Sequence, residues 1–265
     1  STPSNSSAAS DVYKRQILNY LKNSGADILC LQEYQTIESP RYLSQKDVEK
    51  ALKDYPYHNI QIVGRGSGKG HTNRIACYSK FPILSSRTLD YASEYNGSVV
   101  YELKMGEDTV MLINNHLESN KLTKEDKVVY ESMLKSPETE KVKSGARLLI
   151  RKLAEASAIR APQADSIAQE IAASRYPYII VCGDFNDTPI SYAHRVIEKG
   201  LNDAFTKSGR GLGISYNQNK FYFRIDNILA SKNLKPYNCT VDRSIKESDH
   251  YPISVSYTHL TLPTN

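Results

Sequence analysis

The sequence has no tryptophan, three methionines and four cysteines among its 265 residues. The cysteines (Cys30, Cys77, Cys182 and Cys239) lie far apart and form no CxxC pair. That argues against a structural zinc site and against a dense disulfide framework. Three of them sit in apolar runs and read as buried free thiols. No window approaches 18 consecutive apolar residues, so nothing reads as a membrane-spanning helix. The first ten residues are polar and lack the apolar core of a signal peptide, which leaves the compartment open. Charge of one sign is also scarce: 34 Lys+Arg against 29 Asp+Glu leave a net +5. This permits an anionic partner but is no polycationic arm. HExxH, GxSxG and GxxxxGK[ST] are all missing, and the glycine-rich stretch 64–70 fits neither a Walker loop nor GxGxxG.

The composition that is present, 40% hydrophobic and 24% charged with 13 Gly and 11 Pro, is that of a globular protein. No stretch looks like a linker, so we expect one domain over residues 12–257. Residues 1–11 and 258–265 resemble translated adapter remnants and are expected to be non-domain ends. Helical patterns cover Ile17 to Asn23, closed by Gly25, then Val48 to Leu52, Leu122 to Leu134 and Ile190 to Glu198. A long helical pattern from Val142 to Ala173 is expected to be interrupted at Pro162. Strands are expected at Ile28 to Gln32, His58 to Val63, Ile75 to Ser79, Tyr178 to Cys182, Phe221 to Leu229 and Ile253 to Tyr257. Val99 to Lys104 and Thr109 to Asn115 flank Gly106 as a hairpin. Alternating strand–helix–strand units are absent, so an α/β architecture with a two-sheet core and outer helices fits best.

The residues able to do chemistry gather at strand ends. Glu33 follows the strand at Ile28, and His116 follows the strand at Thr109. Asp184 and Asn186 follow the strand at Tyr178, Asp226 sits in an apolar strand, and Asp249 and His250 precede the final strand. Singly, each reads as a turn residue, a cap or a satisfied histidine. Asp226 is harder to explain that way, because a carboxylate among apolar neighbours needs a charged or hydrogen-bonding partner, and a nearby histidine would serve. Together, hard oxygen ligands suit Mg²⁺ or Mn²⁺. Histidines held by carboxylates suit proton transfer or contact with a phosphoryl oxygen. Metal, base and anion-stabilising donors are what phosphoester hydrolysis requires.

At this point the sequence resembles the endonuclease/exonuclease/phosphatase superfamily, the deoxyribonuclease I-like fold. The resemblance runs through Leu31-Gln-Glu33, Asn114-Asn-His116-Leu, Gly183-Asp-Phe-Asn186, Arg224-Ile-Asp226 and Ser248-Asp-His250, in that order. It implies a four-layer sandwich of two mainly antiparallel sheets flanked by helices, and a Mg²⁺ (or Mn²⁺) cofactor. By the same resemblance, Glu33 would be the principal metal ligand, assisted by Asp249. Asp184 would position or deprotonate the attacking water, with Asn186 orienting it. Asp226 would pair with His250, which would contact the scissile phosphate or act as base. His116 would bind a phosphoryl oxygen or assist the leaving group.

Two departures qualify the likeness. The superfamily begins with a strand ending in an Asn at the site, and no counterpart is found; we expect the first strand to have been lost with the natural N-terminus. A long insert also separates His116 from the strand at Tyr178. Its residues 121–160 carry ten Lys+Arg and six Asp+Glu, and a solvated helical face is preferred over a basic flap that guides a polyanion.

The expected function is metal-dependent hydrolysis of phosphodiesters, with nucleic acid as the substrate, by a monomer. The alternatives are a phosphomonoesterase, a lipid phosphodiesterase (inositol-phosphate-like or sphingomyelinase-like) and a catalytically impaired binding module. Lys69, His71, Arg74 and Arg210, in the loops 64–74 and 208–222, are candidate phosphate contacts.

Overall fold

A computed structural model of the chain describes residues 7–38, 43–64, 73–135, 140–218, 221–246 and 248–259. Lys69 and His71 lie outside the described residues.

Two sheets are stacked face to face. The smaller has the order β1–β3–β2, from β1 (Ile28–Leu31), β2 (Tyr57–Val63) and β3 (Asn73–Ser79). The larger contains β4 (Ile83–Thr88), β5 (Gly97–Met105), β6 (Asp108–His116), β7 (Tyr178–Asp184), β8 (Leu201–Asp203) and β11 (Asp226–Ser231). Its order is β4–β5–β6–β7–β11–β8, and only the β6–β7 pairing is parallel. Two-stranded ribbons are formed by β9 (Tyr216–Gln218) with β10 (Phe221–Phe223) and by β12 (Leu234–Val241) with β13 (Ile253–His259).

Strand alternation sorts the side chains into layers. Ile75 and Cys77 of β3 meet Val99, Tyr101, Leu103, Leu112 and Cys182 of the larger sheet between the two sheets. Met111, Ile113, Val181 and Leu229 point the other way. They pack on α4 (Glu140–Ala173) and α5 (Tyr192–Glu198) through Ala164, Ile167, Ala193 and Ile197. On the far side, α1 (Ser7–Asn23) and α2 (Gln45–Ala51) cover Leu29, Ala76 and Tyr78 of the smaller sheet. Helix, sheet, sheet and helix thus make the four layers of the expected sandwich. Fully burying a residue such as Ile113 contributes about 1.5–3 kcal/mol.

Three sequence expectations need correction. The helix does not break at Pro162: α4 runs unbroken for 34 residues. A helical proline gives up one backbone bond and costs about 3 kcal/mol. Here buried residues on both sides, Ala156 and Arg160 before it and Gln163, Ala164 and Ile167 after it, hold the helix against the body. The strand expected from Phe221 to Leu229 is two strands, β10 and β11. The Ser215 hydroxyl accepts the N–H groups of both Ile225 and Asp226, which turns the chain from one ladder to the next. Asp226 therefore opens β11 instead of lying inside a strand. At the C-terminal end, Thr258 and His259 continue β13 opposite Lys235 and Leu234.

The insert contains α3 (Lys124–Lys135) and most of α4. Its outer face is solvated and carries pairs such as Arg151–Glu155 and Lys135–Glu131, as expected. Its inner face is anchored: Tyr130 stacks on Phe221 of β10 at 4.2 Å.

Candidate active site

Three neighbouring strands bring their polar ends together. His116 closes β6, Asp184 closes β7 and Asp226 opens the antiparallel β11. Register places Asp184 beside His116 on one side and Asp226 on the other. The loop before β13 adds His250, bridged to Tyr216 of β9. Glu33 follows β1 with a positive φ of 52°, a conformation that turns the chain off the strand end.

Distances tie these side chains into one group. His250 Nδ1 lies 2.7 Å from Asp226 Oδ2, and its Nε2 lies 3.9 Å from Asp184 Oδ2. His116 Nε2 lies 3.7 Å from the same Asp184 oxygen and 3.8 Å from Glu33 Oε1. Asn186 donates to both Asp184 oxygens, from its backbone N–H at 2.7 Å and its side-chain amide at 3.0 Å. Asn186 holds a positive φ of 50° to do so. Asp184, Asp226 and His116 are buried, whereas the Glu33 side chain is 73% exposed.

The electrostatics separate the two histidines. Burial opposes charge on His250, but Asp226, Asp184 and Asp249 outweigh it and lift its pKa to about 10. Burial dominates at His116 and lowers its pKa below 6.5. At neutral pH, His250 is therefore an imidazolium donating to Asp226, and His116 is a neutral ring. Asp184 is raised to about 7 by burial first and by the neighbouring Asp226 second. Two buried carboxylates side by side leave negative charge that a cation would neutralise.

The donors fit such a cation. Oxygens of Asp184 and Asp226 and a ring nitrogen of His250 lie within 4.8 Å of one another; with His250 an imidazolium, the two carboxylates are the ligands this group offers and the ring is a neighbouring positive charge. Carboxylate oxygens predominate, as hard divalent cations prefer.

Of the residues singled out from sequence, the structure brings together Glu33, His116, Asp184, Asn186, Asp226 and His250. Asp249 is exposed and acts on His250 through its charge. Arg74 is half-buried on β3 and Arg210 is exposed; among the described residues, no hydrogen bond or ion pair ties either to the group. Arg224 points away from the site and pairs with buried Asp203. Sequence reasoning missed Asn73, whose amide faces His116 Nδ1 at 3.4 Å, and Tyr216, whose ring meets the His250 ring edge-on with centroids 5.1 Å apart. It also missed Ser215 beneath Asp226. Lone polar residues carry no spacing signal, although Asn73, Ser215 and Tyr216 fall in the two loops that hold the candidate phosphate contacts.

Paired carboxylates and histidines at the strand ends of a two-sheet sandwich suit hydrolysis of a phosphate ester, and the family match places the chain in that class. The chain belongs to the Endonuclease/Exonuclease/phosphatase family, whose profile matches residues 4–250. No curated protein matches the chain. Solved structures share the fold at low identity. Truncated TDP2 from Caenorhabditis elegans is 19% identical with a TM-score of 0.59, over 93% of this chain and 90% of that one. Beta toxin from Staphylococcus aureus is 16% identical with a TM-score of 0.61, over 93% and 92%. An endonuclease/exonuclease/phosphatase family protein from Leptotrichia buccalis is 16% identical with a TM-score of 0.62, over 93% of each chain.

Proposed function

We propose that the protein is a Mg²⁺- or Mn²⁺-dependent phosphodiesterase acting on nucleic acid, and that the group around Asp184 is its catalytic centre. The observation that carries this reading is the single group formed by Asp184, Asp226, His116, His250 and Glu33. Glu33 and Asp249 are the proposed metal ligands; Glu33 and the buried Asp184 carboxylate flank the same His116 nitrogen. A bound divalent cation supplies positive charge at the phosphoryl oxygens and acidifies water.

The chain's own residues account for the rest. Asp184, with a pKa of about 7, is poised to accept a proton from the attacking water. Asn186 fixes its orientation through two hydrogen bonds. His250, charged and held by Asp226, donates to a phosphoryl oxygen through Nε2 as charge builds there. His116, uncharged, meets the phosphate or the leaving group from the other side of Asp184. The mild net charge of +5 supports a polyanionic substrate. Arg74 and Arg210, with Lys69 and His71, remain proposed phosphate contacts.

A substrate panel tests the reading: plasmid DNA, single-stranded RNA, bis-p-nitrophenyl phosphate, p-nitrophenyl phosphate and sphingomyelin, each with Mg²⁺, Mn²⁺ or EDTA. Metal-dependent cleavage of DNA or RNA that is lost in Asp184→Ala is the expected result. Cleavage confined to p-nitrophenyl phosphate or to sphingomyelin would replace nucleic acid by a monoester or a lipid. No cleavage of any substrate would overturn the reading.

A further inference from the structure

Arg160 is the most deeply buried cation described in the insert, at 2% exposure. A buried guanidinium is costly unless its donors are all engaged. Here they are spent on two loops. Nη1 donates to the Glu118 carbonyl and to Asn120 Oδ1, both at 2.9 Å, in the loop that follows His116. Nε and Nη2 donate to Asp187 Oδ2 at 3.1 and 2.9 Å, in the loop that follows Asp184. One turn further along α4, Gln163 accepts the Glu118 N–H at 2.9 Å. The helix thus holds both backbone groups of Glu118.

The two loops are also joined directly, and the joints lead to the site. Leu117 N–H donates to the Asp184 carbonyl at 3.0 Å, and Asn186 Nδ2 donates to the Leu117 carbonyl at 2.9 Å. Asn120 Nδ2 donates to the Asn186 carbonyl at 3.0 Å. A continuous path therefore runs from Arg160 to Asn120, to Asn186 and to the Asp184 carboxylate. The positive φ of Asn186, in the left-handed region that Asn tolerates better than most residues, is fixed here by hydrogen bonds to its carbonyl and from its side chain.

We propose that Arg160 is a positioning residue: its guanidinium locks the loop after β6 to the loop after β7 and so sets the Asp184 carboxylate against His116. This gives the insert a task inside the protein, and it rests on the catalytic centre proposed above. Arg160 touches no reacting atom. It acts by keeping Asn186 in the conformation that orients Asp184, and a group misplaced by about an ångström loses on the order of 10²-fold in rate.

The test compares Arg160→Met, which keeps the stem and removes the fork, with Arg160→Lys, Arg160→Ala and the exposed Arg151→Met on the same helix. Hydrogen exchange of the segments around Leu117 and Asn186 is read first, because it needs no substrate. The expected result is faster exchange in both segments for Arg160→Met, with exchange in the central strands of the larger sheet unchanged, and no change in either segment for Arg151→Met. Turnover of bis-p-nitrophenyl phosphate is read second. We expect kcat to fall about 10–100-fold in Arg160→Met with KM little changed, in the range seen when groups that orient catalytic residues are lost. Partial recovery is expected in Arg160→Lys, and in Arg160→Ala on adding millimolar guanidinium. Unchanged exchange in Arg160→Met would overturn the proposal whatever the activity. So would altered exchange with an unaltered kcat. A wild-type protein inactive on every phosphodiester would instead count against the proposed function, leaving the exchange result to decide whether Arg160 locks the loops.

Discussion

His116 and Asp184 are register partners across the one parallel strand pairing of the larger sheet, and His116 Nε2 lies 3.7 Å from Asp184 Oδ2. The pairing brings to a single edge the ends of two strands separated in sequence by residues 117–177. Parallel strands cannot be joined by a tight turn and need a crossover of about a dozen residues or more, which this connection far exceeds. Helices α3 and α4 fill it.

The close approach of these strands predicts the cost of changing Gly183. It sits at φ +124°, and a Cβ there would lie 2.0 Å from the Asn115 carbonyl oxygen. Gly183→Ala must part β6 from β7 beside the site. We expect it to lose more than about 3 kcal/mol. Gly106→Ala, at φ +63° with nothing within 4 Å, should cost about 1 kcal/mol. Urea unfolding of the two variants checks this, and equal midpoints would contradict it.

Without metal, the pH dependence of stability should carry the signature of Asp184. Its pKa rises from 3.8 to about 7 on folding, so between those values the folded state holds a proton that the unfolded chain has released. The resulting contribution to stability is complete below pH 3.8 and is lost as pH rises through 7. His250, raised from 6.5 to about 10, behaves the same way in a higher window. Asp184→Asn should therefore remove the decline between pH 4 and 7, on the order of a few kcal/mol, and leave the decline above pH 7. Parallel stability curves for the two proteins would contradict the assignment.

Divalent cation should stabilise the fold above pH 7, where Asp184 is ionised. At a free concentration 100 times the dissociation constant, one-site binding contributes about 2.7 kcal/mol. For a domain of this size that is a rise in Tm of roughly 5–10 °C. EDTA should reverse it, and Glu33→Ala should abolish it. A Tm unmoved by Mg²⁺ and by Mn²⁺ would contradict a metal at this group.

The Arg224–Asp203 pair should matter to folding and not to chemistry. Asp203 accepts from Phe205 and Thr206 N–H groups at the start of α6 (Ala204–Ser208), and Arg224 binds it while lying over the Phe205 ring. Burial opposes charge on Asp203, but His194 and Arg224 outweigh it and hold its pKa well below the usual carboxylate range. Its contribution to stability is present above pH 3.8 and is lost on acidification. Arg224→Met strands a buried carboxylate, and we expect a loss of about 3–5 kcal/mol in urea unfolding at pH 7. Loss below about 1 kcal/mol would contradict this account.

The fold was legible where burial on both faces makes continuous apolar runs, as in β3 and β7. It was illegible where a strand exposes most of its length. β4 reads Ile-Leu-Ser-Ser-Arg-Thr, and β12 carries Pro236 and Asn238. Both are strands by pairing more than by propensity. Pro162 misled because local propensity is outweighed by the packing of α4 on both sides of it. The site was legible because its acids and histidines stand at strand ends, where side chains from distant segments converge. Arg160 was not, since in sequence it is one of ten cations in residues 121–160, and only its burial distinguishes it.

In the proposed reaction, water attacks phosphorus under the direction of Asp184 and His250. Its most direct measurement is hydrolysis of bis-p-nitrophenyl phosphate in ¹⁸O-water with Mg²⁺ or Mn²⁺, using wild type, Asp184→Ala and His250→Ala. We expect ¹⁸O in the p-nitrophenyl phosphate product and none in p-nitrophenol, with turnover reduced at least about 10²-fold in both variants. Label in the phenol, or full turnover in either variant, would contradict it.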